Sequence, residues 1–153
     1  MTADLYVPRG RGRTFQFATE TITFQASMHE TADKRALLYW VAGPSAEAPP
    51  HTHEQMEETF YIIDGALQFT LGTDTLQLQS GDFVRVPPNA RHGYINRSDR
   101  PVPMLVTLSP GDLAELFYEY RSGPGGKEVF GHLDRYLADA RRRHGTVYEL
   151  PGR

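Results

Sequence analysis

His51-Thr52-His53-Glu54-Gln55-Met56-Glu57-Glu58 is the stretch whose reading decides the fold. In an extended strand side chains alternate, so residues two apart share a face. His51 and His53 therefore aim two imidazoles at one point, and neutral imidazole is the commonest nitrogen ligand of a metal ion. Such a pair also occurs in solvated loops, so its meaning depends on its surroundings. Downstream, Glu58, Phe60 and Ile62 alternate onto one strand face. Asp64-Gly65 then marks a hairpin. Further on, Gly81 opens a segment that runs through Pro87-Pro88-Asn89-Ala90-Arg91-His92 to Asn96 and can deliver a third imidazole. Glu57 competes with Glu58 for the carboxylate role. The alternation with Phe60 and Ile62 favours Glu58.

Working outward, turn residues divide Thr14 to Ser109 into short apolar-rich pieces: Gly43-Pro44, Pro49-Pro50, Gly72, Ser80-Gly81-Asp82 and Arg100-Pro101. The predicted strands are Thr21–Ser27, Ala36–Ala42, Glu58–Ile63, Ala66–Leu71, Thr75–Gln79, Phe83–Val86, Arg91–Asn96 and Met104–Leu108. The period then changes. Ser109-Pro110-Gly111-Asp112 has capping-box spacing, and Leu113, Leu116, Phe117 and Tyr120 follow at helical intervals. Gly123-Pro124-Gly125-Gly126 breaks that helix. A second is expected from about Glu128 to His144, burying Phe130, Leu133, Leu137 and Ala140 and capped by Gly145. The expectation is one domain over residues 1–153, with a β-portion at about 14–109 and a helical segment at about 110–145.

Composition narrows the function classes. A chain of 153 residues that is 39% hydrophobic and 23% charged can bury a core and is not disordered. Its apolar runs are far shorter than the roughly 18 residues a spanning helix needs, so no membrane partner is expected. Sixteen basic residues against nineteen acidic ones give a net charge of -3, which offers nucleic acid no attracting field. The absence of cysteine excludes thiolate chemistry and disulfides. The N-terminal MTADLYVPRGRGR carries no signal-peptide stretch, and a cytoplasmic location is expected. Arg9, Arg11 and Arg13 read as a flexible arm, and Arg141 to Arg143 as the cationic last turn of a helix.

These motifs resemble those of the cupin family. Gly43 to Gly65 is similar to its first motif, G-x(5)-H-x-H-x(3,4)-E-x(6)-G, with His51, His53, Glu58 and Gly65 in place. Gly81 to Asn96 is similar to its second, G-x(5)-P-x-G-x(2)-H-x(3)-N, with Gly81, Pro87, His92 and Asn96 in place. Two departures stand out. Seven residues separate Gly43 from His51, and Asn89 replaces the usual glycine. Asn tolerates left-handed backbone, so that turn can survive. The motif spacing to Gly65 again selects Glu58 over Glu57. His29, His132 and His144 fall outside both motifs and are expected to be surface or capping residues.

The resemblance implies an all-β cupin barrel, a double-stranded β-helix or jelly roll, with two C-terminal helices. It implies one divalent metal ion held by His51, His53, Glu58 and His92. Mixed N/O ligation suits Fe, Mn, Ni, Co or Zn. Phe60, Phe69 and Tyr94, on the same alternation as the ligands, are expected to shape the substrate pocket. Leu116, Phe117 and Tyr120 either cover the barrel mouth or bury against its outer wall. The chain resembles small quercetin-dioxygenase-like cupins in particular. That likeness implies a metal-dependent dioxygenase acting on a flavonol-like or other enolisable aromatic, with Glu58 permitted to act as base. The alternatives are a non-catalytic module that binds metal and a small molecule, and a metal-dependent cyclase or isomerase. A homodimer is expected by the same resemblance. An oxygenase is expected to keep a pocket of roughly 300 Å³ or more beside the metal, and a barrel packed solid around it would weigh heavily against that reading.

Overall fold

A computed structural model describes residues 6–124 and 126–152. Eleven strands form two antiparallel sheets. The larger runs in the order β1 (Thr14–Phe17), β2 (Glu20–Ala26), β3 (Ala36–Ala42), β10 (Val102–Ser109), β5 (Glu57–Ile62), β8 (Phe83–Val86). The smaller runs β11 (Thr146–Tyr148), β4 (Glu47–His53), β9 (His92–Ile95), β6 (Ala66–Leu71), β7 (Asp74–Gln79). Two helices follow β10: α1 (Asp112–Glu119) and α2 (Leu133–His144), the latter led by a 3-10 turn over Phe130–His132.

The alternation seen in the sequence becomes burial. Along β3, Ala36, Leu38, Trp40 and Ala42 are buried while Tyr39 is exposed. Along β10, Val102, Met104, Val106 and Leu108 are buried. Register stacks these into layers: Ile22, Trp40, Met104 and Ile62 face one another across four strands. The outward ladder beside them, Tyr39, Leu105, Tyr61 and Phe83, leaves Tyr61 and Phe83 well exposed.

Several expectations need correction. β1, β4 and β11 are strands that no turn-bounded apolar run announced. Pro49-Pro50, read as punctuation, lies inside β4, where the pairing with β9 slips between Ala48 and His51. Such a bulge tolerates residues that cannot donate to the ladder. Ser109 continues β10 opposite Glu57 and is not a helix cap; α1 starts at Asp112 after Gly111, with no side-chain cap. In α2 the buried residues are Tyr136 and Ala140, whereas Phe130 is 75% exposed. The predicted stripe assumed one continuous helix, and the 3-10 turn rotates Phe130 away from that face. Gly125, part of the predicted helix break, lies outside the described residues, as do the first five of the chain. Arg13 is no flexible arm. Its guanidinium pairs with Glu115 at 2.7 Å and lies 3.9 Å over the Phe24 ring.

Asn96 ties the sheets' ends together. It is fully buried, and its Nδ2 donates to the carbonyls of Arg100 at 2.7 Å, Gly43 at 3.0 Å and Ala42 at 3.1 Å. Its Oδ1 accepts from the Ser98 N–H at 3.0 Å and the Ser98 hydroxyl at 2.7 Å. Gly43 packs so close to Thr19 that a Cβ there would stand 2.6 Å from its carbonyl oxygen. The two motif ends, Gly43 and Asn96, 53 residues apart in the chain, are thus joined through one amide. Asn96→Ala strands the buried Ala42 carbonyl, at about 1–3 kcal/mol for a group left without a partner, and loosens those of Gly43 and Arg100. Urea unfolding is expected to show a loss of about 2–4 kcal/mol with an unchanged slope; a loss below the error of the method would remove Asn96 from this role.

Candidate metal centre

β4 carries His51 and His53 inward, with Thr52 between them turned away. β9 begins with His92, and the sheet register sets it directly opposite His51. β5 carries Glu58 from the facing sheet. All four side chains are buried, and their ligand atoms lie within 4.8 Å of one another. Atoms bound about 2.1 Å from one ion stand roughly 3–4.2 Å apart, so closure needs shifts of only a few tenths of an ångström. The expected set is therefore assembled in one place. Glu57 is not part of it. It points outward and pairs with Arg85 at 2.5 Å.

The outer ring nitrogens fix which inner ones are free. His51 Nδ1 lies 2.7 Å from the Pro49 carbonyl, and His92 Nδ1 3.0 Å from the Ala90 carbonyl. A carbonyl only accepts, so both Nδ1 atoms carry hydrogen, and Nε2 faces the centre. His53 Nδ1 meets the Thr146 hydroxyl at 2.8 Å. Outer partners of this kind set tautomer and orientation in metal sites. Thr146 sits on β11, which the sequence reading missed. A short polar-flanked strand has too few residues for alternation to register.

The four side chains also face one another directly. Glu58 Oε2 lies 3.0 Å from His92 Nε2 and 3.3 Å from His53 Nε2. Burial works against the charge of Glu58, but the hydrogen bonds from His53 and His92 overcome it and hold its carboxyl well below the usual range. Burial likewise opposes charging of His92, and the Glu58 carboxylate overcomes that, raising it. His51 is different. Burial, then the neighbouring His92 and His53, push it down to about 3, so it offers a neutral lone pair at pH 7. An ionised carboxylate and three convergent imidazoles, one of them neutral, are a donor set that could hold a divalent ion.

The turn that presents His92 is built as the sequence allowed. Asn89 has φ 65°, the left-handed conformation glycine would supply. Its N–H donates to the His53 carbonyl at 2.7 Å, which anchors the turn to β4. Gly93 follows His92 because a Cβ there would stand 2.6 Å from the Ala48 carbonyl oxygen. Tyr148 on β11 stacks on His51, with centroids 4.8 Å apart.

The cavity at the centre measures about 50 Å³, well below the size expected for an aromatic substrate. Its walls include Phe60 and Tyr94, both anticipated, but not Phe69, which packs behind Phe60 at 5.1 Å. Phe117 of α1 does reach it, edge-on to Trp40, so the helix covers the mouth. Glu20 and Trp40 complete the wall and were missed. The predicted strand began at Thr21, one residue too late to place Glu20 on the inward alternation with Ile22 and Phe24. The remaining volume lies outside, in an apolar hollow of about 350 Å³ under α2, which shares Phe17 and Tyr148 with the cavity. His144 is not a surface residue. Its side chain is 7% exposed and its Nδ1 bonds Asp112 at 2.9 Å, joining the end of α2 to the start of α1.

Two outcomes are expected. Glu58→Gln and His92→Ala lose most bound divalent metal while Glu57→Gln retains it, as read by elemental mass spectrometry; the reverse order for the two glutamates would put the strand register off by one. The second concerns Glu20. Burial pushes its carboxyl up to about 7, despite the Tyr94 hydroxyl and the nearby Trp40 indole, and the Glu58 charge adds to the rise. Tyr148 and Tyr136 also lie within its field. A raised carboxyl pKa means the folded chain holds the proton more tightly than the unfolded one. The stability this contributes is intact below pH 4.5 and is lost as pH rises towards 7. Relative to metal-free wild type, Glu20→Gln should gain about 3 kcal/mol between pH 4.5 and 7.5. A pH-independent difference would show that Glu20 titrates normally.

Comparison with known proteins supports the same assignment. Residues 38–114, half of the chain, match the cupin domain family. Quercetin 2,3-dioxygenase of Bacillus subtilis (strain 168) is 28% identical over 108 residues, which is 71% of this chain and 32% of that protein. Gentisate 1,2 dioxygenase 1 of Aquipseudomonas alcaligenes is 36% identical over 103 residues, 67% of this chain and 29% of that protein. The chain thus spans about a third of the length of these curated relatives. In structure it is similar to an RmlC-like cupin from Shewanella frigidimarina NCIMB 400, with a TM-score of 0.59, 16% identity, and coverage of 69% of this chain and 90% of that one. Sequence match, two-sheet architecture and neighbouring folds agree that the chain belongs to the cupin family.

Proposed function

We propose that this chain is a metal-dependent dioxygenase acting on an enolisable hydroxy-carbonyl compound. The observation that carries the reading is the buried cluster of His51, His53, Glu58 and His92 opening onto an enclosed cavity, in a chain whose relatives include two dioxygenases. A bound divalent ion would supply Lewis acidity and a meeting point for substrate and oxygen. The two sheets are read as the halves of one jelly-roll barrel, which keeps the site dry.

The chain's own residues set the rest. His51, His53 and His92 orient the centre through their outer hydrogen bonds. Glu58, held ionised, takes up the proton of the substrate hydroxyl at Oε2. Phe17, Phe60 and Phe117 exclude water. A cavity of about 50 Å³ takes the reacting head alone. We place an apolar remainder, such as the ring of an aromatic substrate, in the 350 Å³ hollow beyond Phe17 and Tyr148. The fused rings of a flavonol do not fit the inner cavity.

That tightness favours one second reading, an oxygen-independent isomerase or cyclase. An oxygen electrode separates the two. Protein loaded in turn with Fe, Mn, Ni and Co is expected to consume oxygen with at least one hydroxy-ketone, diketone or flavonol, and Glu58→Gln to lower that rate at least about a hundredfold. Conversion without oxygen uptake would select the isomerase or cyclase. Binding without conversion would leave a small-molecule binding module.

A further inference from the structure

Across the cavity from the metal centre, three strands bring together a second polar group: Glu20 from β2, Trp40 from β3 and Tyr94 from β9. Glu20 and Tyr94 are 5% exposed and Trp40 is 6% exposed. The Tyr94 hydroxyl donates to Glu20 Oε1, leaving Oε2 as a further acceptor. Trp40 Nε1 faces both groups closely enough to favour their ionised forms, yet makes no hydrogen bond of normal geometry. A buried N–H without a partner is costly and uncommon. This one stands at a cavity wall, where a bound molecule can satisfy it.

The charge of the wall narrows what that molecule is. Two carboxyl groups, Glu20 and Glu58, line the cavity, and among the described residues no arginine or lysine does. An anionic substituent placed beside Glu20 would find no counter-charge and would lose its hydration. A hydroxyl suffers neither penalty. It can accept from the Trp40 N–H and donate to Glu20 at once, whichever protonation state Glu20 holds.

We propose that Glu20, Trp40 and Tyr94 form a subsite that recognises a hydroxyl on a neutral substrate and rejects a carboxylate in the same place. The inference rests on the reading of His51, His53, Glu58 and His92 as a metal centre that chelates the other end. The volume sets the scale. At roughly 10–15 Å³ per water-sized group, about 50 Å³ holds about four such groups, the part of a short hydroxy-ketone that extends beyond its metal-bound atoms.

Three probes test it by calorimetry and by the visible spectrum of Co(II)-loaded protein. Dihydroxyacetone offers a chelating hydroxy-ketone plus a second hydroxyl. Hydroxyacetone lacks that hydroxyl, and 4-hydroxy-3-oxobutanoate keeps the hydroxy-ketone with a carboxylate on the far carbon. Dihydroxyacetone is expected to bind about tenfold more tightly than either, the worth of one well-made hydrogen bond. Trp40→Phe should bring it to within about twofold of hydroxyacetone while Co(II) content stays unchanged. Because Trp40 is also a core residue, Tyr94→Phe provides a second variant with the same expected loss of discrimination. Equal binding of the three probes to wild type, with the spectrum shifting for each, overturns the subsite alone. So does discrimination that survives both substitutions. Failure to retain Co(II), or a spectrum untouched by every probe, overturns the metal-centre reading and the subsite with it.

Discussion

Three imidazoles and a carboxylate removed from water at the centre of an apolar core form an arrangement that could hold a cation. Glu58 Oε2 lies within hydrogen-bond reach of His53 and His92, and burial keeps His51 neutral. The desolvation cost of such a cluster is several kcal/mol per uncompensated charge. It is tolerated because every polar atom that turns outward has a partner: Pro49, Ala90 and Thr146 take the three Nδ1 atoms. The rest of the architecture serves to hold those partners still.

The strand pairings show how. His51 and His92 face each other by register, yet that register exists only because β4 bulges between Ala48 and His51. The bulge accommodates Pro49-Pro50, puts the Pro49 carbonyl under His51, and presses the strand against Gly93, where no side chain would fit. On the far side, β11 contributes Thr146 beneath His53 and Tyr148 against His51. The centre is thus braced from both neighbours of β4. Asn96 locks the end of β9 to Ala42 and Gly43, so the two motifs that supply the ligands move as one unit.

The C-terminal segment turns an open end into a closed room. Phe117 meets Trp40 edge-on, Phe17 packs on Phe117 and Tyr136, and Tyr136 and Tyr148 join hydroxyls at 2.6 Å. These aromatics stand between the small chamber at the four ligands and the larger apolar hollow under α2, and Phe17 and Tyr148 border both. Inside the chamber the low dielectric enlarges every electrostatic effect. The same environment that depresses His51 and Glu58 raises Glu20. Different neighbours, not different chemistry, give the two inward glutamates opposite behaviour.

Local patterns put His51 and His53 on one strand face and favoured Glu58 over Glu57; the resemblance to the two cupin motifs, not pattern alone, supplied the barrel and completed the ligand set with His92. Alternation with period two is a property of the strand itself, so His51, His53, Glu58 and Phe60 declare their faces without knowledge of their partners. The same holds for Asn89, whose tolerance of a left-handed turn is intrinsic. What the chain could not announce are features created by contact at a distance. Thr146 is a polar residue in a three-residue strand and matters only because β11 lands beside β4. Glu20 falls at a strand end, where boundaries blur, and becomes a cavity residue only when Tyr94 arrives from the other sheet. Phe69 shares the inward alternation but is screened by Phe60, and Phe130 loses its core position to a change of helical pitch. The cavity's small size belongs to this second group. Volume is what remains after α1, β11 and the inward aromatics have packed together, and no single segment encodes it.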